Sequence, residues 1–140
     1  IMGRNKFSPH RGPWRDDDWQ GWWGDEPPFH TPVFVMTHHQ RPSFTLSDST
    51  FHFVGGEPAS VLEQARAAAG DKDVRLGGGA STVRQFLEAG LVDTLHVAVS
   101  PVEIGAGSRL WDSPDDLDDR FHHEVVPSPS GVVHHLFWRR

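Results

Sequence analysis

The stretch Val74-Arg75-Leu76-Gly77-Gly78-Gly79-Ala80-Ser81-Thr82 indicates how this chain folds. A short apolar run leads into three glycines, and a Ser-Thr pair that can cap a helix precedes the helical spacing of Val83, Phe86 and Leu87. Glycines let a ligand come close to the backbone because they have no Cβ. The start of a helix adds unpaired N–H groups and the positive end of the helix dipole. The stretch is therefore typical of a phosphate cradle, but also of a tight connection between a strand and a helix that binds nothing.

The sequence on both sides of this stretch predicts alternating strands and helices. Apolar runs of strand length end at glycine, proline or polar residues, and Pro58 and Gly70 mark the beginning and end of a helix. We predict strands at residues 33–37, 51–54, 74–76 and 95–99, and helices at residues 58–69 and 81–89. Strands and helices that alternate at these lengths predict two βαβ units, and hence a parallel sheet with right-handed crossovers.

The C-terminal part of the chain follows a different pattern. Residues 122–126 and 132–138 have strand character and are joined by Pro127-Ser128-Pro129-Ser130-Gly131, with no helix between them. A connection of this kind predicts a hairpin, so at least one strand pair is antiparallel. The predicted fold class is α/β, with a mixed, mostly parallel sheet flanked by helices and a C-terminal antiparallel hairpin.

Composition limits the classes of function. A length of 140 residues predicts a single domain, and a net charge of −6 gives no electrostatic support for nucleic-acid binding. The chain has no cysteine, which fits a cytoplasmic protein and excludes thiolate chemistry. No apolar run reaches the roughly 20 residues that a membrane span needs. We therefore expect a cytoplasmic protein whose partner is a small molecule.

Two features of the N-terminal region stand out. Ile1-Met2-Gly3-Arg4 has the character of a strand end, so we expect the domain at residues 1–140 to lack its first strand and loop. Residues 8–32 have no helical or alternating period and predict a long loop. This loop contains four closely spaced tryptophans, Trp14, Trp19, Trp22 and Trp23. It acts either as an aromatic plug over one edge of the core or as a lid on a binding site.

Three segments are predicted to meet beyond the carboxyl ends of the parallel strands, where α/β sheets bind ligands. They are Gly3-Arg4-Asn5, Thr37-His38-His39 and the glycine-rich stretch. The set suits a dinucleotide with an extra phosphate, because the glycines would hold the pyrophosphate and Arg4 with Thr37 or His38 the 2′-phosphate. A surface salt bridge is the other interpretation of Arg4. The predicted cofactor-binding residues are Gly3, Arg4, Asn5, Thr37, His38, Gly77, Gly78, Gly79, Ala80, Ser81 and Thr82.

Other site types have little support in the sequence. The Rossmann spacing G-x-G-x-x-G and the P-loop ending Gly-Lys-Ser/Thr do not occur. Adjacent residues of a strand point to opposite faces, so the histidine pairs 38–39, 122–123 and 134–135 do not readily share a metal, and we predict no metal site. The acidic clusters at residues 16–18 and 115–119 are predicted to be solvated loops.

The segment Gly3-Arg4-Asn5-Lys6-Phe7 resembles a Gly-Arg motif of the dihydrofolate reductase-like proteins. Residues 74–80, 86–97 and 101–107 resemble the C-terminal reductase domain of the bacterial riboflavin biosynthesis protein RibD. The resemblance implies a dihydrofolate reductase-like fold, with a mixed eight-stranded sheet in the complete domain. It also implies NADPH as the hydride donor, a cis peptide between Gly77 and Gly78, and a homodimer.

The resemblance leads us to expect an NADPH-dependent oxidoreductase that transfers a hydride to a small heterocyclic or sugar-like substrate. Family members take an acidic residue from the region before the position of Gly3, and this sequence does not include that region. The catalytic residues are therefore unassigned. The alternatives are a nucleotide-binding protein without catalysis on the same fold, and a purely structural domain in which the three glycines only turn the chain.

Overall fold

The computed structural model describes residues 1–15 and 19–140, which form two compact units, Ile1–Ala89 and Gly90–Arg140. The first unit contains β1 (Met2–Gly3), α1 (Arg4–Phe7), β2 (Pro32–Met36), β3 (Phe44–Leu46), β4 (Ser49–Val54), α2 (Pro58–Ala69) and α3 (Ala80–Glu88). The second contains β5 (Thr94–Val99), a 3-10 helix (Pro114–Leu117), β6 (Phe121–Pro127) and β7 (Val133–Arg139). Within the described residues, no helix has the length and apolar character needed to cross a membrane. The acidic cluster at residues 16–18 lies outside the described residues.

The sheet of the first unit has the strand order β1-β2-β4-β3. The β1–β2 and β2–β4 pairs are parallel, in agreement with a mostly parallel sheet although in strands outside the predicted βαβ units, and β3 forms an antiparallel hairpin with β4. The apolar run in β2 is buried on both faces of the sheet. On one face Val33 and Val35 join a core cluster with Phe51 and Phe53, and on the other Phe34 packs with α2.

The helix α2 confirms the prediction from its flanking residues. Pro58 occupies its first turn, where a missing N–H costs nothing, and Gly70 ends it with a φ of +66°. Val61 and Ala65, one turn apart, are buried against Phe34. The helix therefore covers one face of the parallel strands.

The predicted strand at residues 74–76 is not a regular strand in the structure. The segment instead runs beside β1 and exchanges single backbone hydrogen bonds with it. Ile1 N donates to Arg75 O, Gly77 N donates to Ile1 O, and Gly3 N donates to Gly78 O, each at 2.8 Å. Because both segments run in the same direction, the glycine-rich stretch still arrives next to the carboxyl end of β1.

The second unit has a wholly antiparallel sheet with the order β5-β7-β6. The hairpin predicted at residues 122–138 is confirmed as β6 and β7. The prediction that residues 95–99 complete a second βαβ unit is wrong, because β5 pairs antiparallel with β7 from Thr94↔Trp138 to Val99↔Val133. The helix before β5 suggested a parallel crossover, but the pairing depends on a strand some 40 residues later in the sequence, β7. Phe121 and Phe137 are buried in this unit.

The tryptophan-rich loop packs on the core and holds α1 in place. Trp14, Trp19 and Trp23 lie against the cluster that contains the fully buried Phe7. Indole N–H groups of this loop also satisfy the carbonyls at the end of α1, since Trp19 donates to Phe7 O at 2.8 Å and Trp22 to Lys6 O at 3.0 Å. A helix of one turn is not stable by itself, so these contacts fix its position. The packing of Trp14, Trp19 and Trp23 favours the interpretation of the loop as an aromatic plug.

Candidate functional site

The site begins with the glycine loop (residues 77–79) and the start of α3. Gly79 is the N-cap residue of α3 and no side chain caps the helix. The first intrahelical bond runs from Val83 N to Gly79 O at 3.0 Å, so the N–H groups of Ala80, Ser81 and Thr82 precede the regular pattern. A Cβ on Gly79 would have no neighbour within 4 Å. The loop and the helix start therefore offer N–H groups beside open space, as an anion cradle requires.

Two details of this loop differ from the sequence predictions. Ser81 and Thr82 lie inside the first turn of α3 instead of capping it, because the helix begins one residue earlier, at Ala80. The cis peptide bond joins Gly78 to Gly79, so the prediction that it joins Gly77 to Gly78 is wrong by one residue. The Gly78 carbonyl beside it accepts the N–H of Gly3.

Gly3 and Thr82 have packing roles at this site. A Cβ on Gly3 would lie 2.2 Å from Thr82 Oγ1, so only glycine allows β1 to come this close to α3. Thr82 is buried, whereas Ser81 is exposed. Of the predicted residues in this stretch, Gly79 and Ser81 face solvent, and Gly3 and Thr82 hold the two elements together.

Arg4 follows β1 and stacks on an aromatic ring. Its guanidinium carbon Cζ lies 3.8 Å from the ring centroid of Trp14. Its Nε and Nη2 are buried and have no hydrogen-bond partner among the described residues, where no salt bridge of Arg4 occurs either. Burial lowers the pKa of the guanidinium. Donors of a buried cation that have no partner are costly, so their chemistry fits an anionic group.

Lys6 lies at the candidate site, although the sequence did not single it out. Its Nζ donates a hydrogen bond to Gly77 O, and its side chain lies within 4 Å of the positions that a Cβ would take on Gly77 and Gly78. A cation therefore lies against the glycine loop. The residue was part of the motif Gly3-Arg4-Asn5-Lys6-Phe7, and its charge was the available signal. What could not be predicted is that a single helical turn directs it back toward the loop.

The segment Thr37-His38-His39 follows β2 at the same edge. Gly3 pairs with Met36, so Arg4 and Thr37 come directly after neighbouring strand ends. The Thr37 hydroxyl is buried and used locally, accepting from His39 N at 3.1 Å and donating to His39 O at 3.2 Å. His38 is exposed, as is Asn5 after β1. The structure thus brings the three predicted segments to one edge of the sheet, with the Thr37 hydroxyl engaged in its own turn.

The histidines of the second unit form two cross-strand pairs. His96 Nε2 lies 2.9 Å from His134 Nδ1, and His123 Nε2 lies 3.0 Å from His135 Nδ1. The neighbours His134 and His135 point to opposite faces of the sheet, as expected for a strand. Asp115, Asp118 and His123 have possible metal-ligand atoms within 4.8 Å of one another. Both carboxylates are exposed, and His123 Nδ1 lies 3.6 Å from Asp118 Oδ1, the geometry of a weak ion pair.

Comparisons with known proteins agree with this architecture. The RibD C-terminal domain family matches residues 11–124. The protein YyaP of Bacillus subtilis (strain 168), described as uncharacterised, is 37% identical over 65 residues, which cover 44% of this chain and 33% of that relative. The chain thus matches a third of the length of this relative.

The solved structures that resemble this one have low sequence identity to the chain. A protein of Shewanella sp. PV-4, named "Putative riboflavin biosynthesis protein", has a TM-score of 0.61 at 21% identity, over 99% of this chain and 72% of that chain. A pyrimidine reductase-like protein of Corynebacterium diphtheriae has a TM-score of 0.48 at 22% identity, over 76% of this chain and 50% of that chain. The Shewanella structure supports the dihydrofolate reductase-like fold.

Proposed function

Because the chain belongs to the RibD C-terminal domain family of dihydrofolate reductase-like reductases, we propose that it is an NADPH-dependent oxidoreductase. It would transfer a hydride to a small heterocyclic or sugar-like substrate. The observation that supports this proposal best is Arg4, which has two buried donors without a partner among residues 1–15 and 19–140 and follows Gly3, whose backbone N–H bonds the glycine loop. A cation and a glycine loop that follow one another so closely at the end of β1 suit a ligand with several phosphate groups.

The residues present fit a dinucleotide phosphate. The pyrophosphate would lie on the glycine loop and the start of α3, where Gly79 leaves open space and Lys6 adds positive charge. Arg4 would hold the 2′-phosphate, which NADPH has and NADH lacks, and the exposed His38 would lie near the adenosine ribose. NADPH when bound supplies the hydride from its nicotinamide ring. The part of this chain is to bind the cofactor and fix its orientation.

The first test is a titration of the full protein with NADPH and with NADH, followed by nicotinamide fluorescence. We expect tighter binding of NADPH, and an Arg4→Ala variant that loses about tenfold in NADPH affinity with little change for NADH. Arg66→Ala removes an exposed arginine of α2 and serves as the matched control. Absence of binding for both nucleotides would contradict the proposal.

A second test separates catalysis from binding alone. NADPH oxidation is followed with a panel of pterins, pyrimidines and quinones. Turnover with any member supports an oxidoreductase. Retained NADPH binding without turnover on an extended panel would favour the nucleotide-binding protein without catalysis.

A further inference from the structure

Trp14 contacts the turn after β2, the core and two arginines, Arg4 and Arg41, the latter with its Cζ 5.2 Å from the ring centroid. Its Nε1 donates to His39 O at 2.8 Å, so the indole is bonded to the turn that follows β2. Its ring meets Phe53 edge-on at 5.2 Å and Phe7 at 6.0 Å between centroids. Arg4 lies over its face at 3.8 Å. The indole therefore connects the core and the turn at residues 37–39 to the arginine of the candidate site.

The stacking contact explains how Arg4 is held. A free arginine side chain loses much rotamer entropy when it is fixed, and Nε and Nη2 of Arg4 have no hydrogen bond within the described residues that would fix them. A cation–π contact uses the flat face of the guanidinium and leaves its N–H edge unused. The Trp14 ring can therefore orient Arg4 without occupying the donors that a phosphate would take.

We propose that Trp14 is a positioning residue that sets the preference of this protein for a 2′-phosphorylated nucleotide. The inference rests on the proposed function, since it needs Arg4 to contact the 2′-phosphate. Trp14 holds the guanidinium in the orientation that suits bidentate contact before the ligand arrives, which lowers the entropic cost of binding. The Trp14 bond to His39 O keeps the two sides of the 2′-phosphate site, Arg4 and the turn after β2, at a fixed separation.

The quantity to measure is the dissociation constant of NADH divided by that of NADPH, a ratio that is high when the protein prefers NADPH. Trp14→Leu removes the aromatic face, so we expect this ratio to fall about threefold, part of the about tenfold fall expected for Arg4→Ala. Trp14→Phe keeps an aromatic face but loses the bond to His39 O, so it should fall between Trp14→Leu and wild type. In the double variant Arg4→Ala/Trp14→Leu the ratio should be no lower than in Arg4→Ala, because both changes remove the same interaction.

Trp23→Leu is the matched control. Trp23 belongs to the same loop and the same core cluster, but it packs on Phe29 and Phe51. A merely structural role would make Trp14→Leu and Trp23→Leu equivalent, since lost packing weakens the binding of both nucleotides together. We expect Trp23→Leu to leave the ratio unchanged.

The outcomes separate this inference from the proposed function. If wild type shows no preference for NADPH, or Arg4→Ala keeps it, the assignment of Arg4 is wrong and the proposed function loses its main support. If Arg4→Ala removes the preference while Trp14→Leu and Trp14→Phe keep the wild-type ratio, the role of Trp14 alone is overturned. Should Trp14→Leu fail to fold by circular dichroism, Trp14→Met, which also removes the aromatic face, decides, and a wild-type ratio in that variant overturns the inference.

Discussion

Gly3 and Thr82 are in direct contact across the junction of β1 and α3. The position that a Cβ would take on Gly3 is 2.2 Å from Thr82 Oγ1, and Gly3 N donates to Gly78 O at 2.8 Å. The strand and the helix start can approach this closely because residue 3 has no side chain.

We predict that Gly3→Ala lowers the free energy of unfolding by about 1–3 kcal/mol, because the new methyl group overpacks the junction. NADPH binding should weaken as well, since the helix start must move away. Urea unfolding measures the first effect. Thr82→Ala removes the clashing hydroxyl. In that background, Gly3→Ala should lower the free energy of unfolding by less than it does in the wild-type protein. Equal stability of Gly3→Ala and wild type would contradict the contact.

Replacing Lys6 and replacing Arg4 should change the affinities for NADPH and NADH in different ways. Lys6 lies on the glycine loop, so it would contact the pyrophosphate that NADPH and NADH share. We expect Lys6→Met to weaken both nucleotides by a similar factor of about ten, with an unchanged ratio. Lys72→Met, at an exposed lysine, is the control. A loss confined to NADPH would instead place Lys6 at the 2′-phosphate.

The stability of the second unit should depend on pH through His135. Burial lowers the pKa of His135 below its ordinary value of 6.5, the charge of His123 lowers it further, and Asp115 acts in the opposite direction. Between the lowered pKa of the folded protein and 6.5, the unfolded chain binds more protons than the folded one, so the free energy of unfolding falls as the pH drops through this window. Above this window the contribution of neutral His135 to stability is fully present. Below the folded pKa the contribution of His135 stays constant.

The urea midpoint of unfolding, measured from about pH 8 to pH 5, tests this linkage. We expect the urea midpoint to decline below pH 6.5, and to decline less steeply in His135→Asn. His38→Asn, at an exposed histidine, should leave the slope unchanged. A slope that is the same in His135→Asn and wild type would show that other groups cause the decline.

The two adjacent tryptophans Trp22 and Trp23 should differ in their contribution to stability. Trp23 packs on Phe29 and Phe51 in the core cluster, so Trp23→Ala should cost about 3–5 kcal/mol. Trp22 is 58% exposed and donates a hydrogen bond to Lys6 O, so Trp22→Ala should cost about 1 kcal/mol. Thermal unfolding compares them. Similar small losses in both variants would favour a lid over a plug.

The sequence predicts the elements whose signals are local. Pro58 and Gly70 define α2 to the residue, because first-turn proline and left-handed glycine are backbone requirements. The β6–β7 hairpin follows from the lack of a helix between two strand patterns. In contrast, the antiparallel partner of β5 could not be predicted, since strand pairing depends on contacts between distant parts of the sequence. The strand β3, three residues long, is too short to give a clear pattern.

The same distinction applies to the candidate site. The convergence of Gly3, Thr37 and the glycine loop follows from parallel strands that end at one edge. The stacking of Arg4 on Trp14 could not be predicted, because the loop at residues 8–32 has no period from which to place its rings. The hydrogen bond from the Thr37 hydroxyl to His39 O could not be predicted either, because it depends on the path of the turn at residues 37–39.

The strand order of the second unit has a consequence for synthesis on the ribosome. The strands β5 and β6 both pair with β7 and not with each other. Neither can gain its ladder of hydrogen bonds until residues 133–139 have left the exit tunnel, although residues 94–127 emerge earlier. During this interval two strands have unpaired edges, which are the templates for aggregation. A premature stop before Val133 would make that interval permanent.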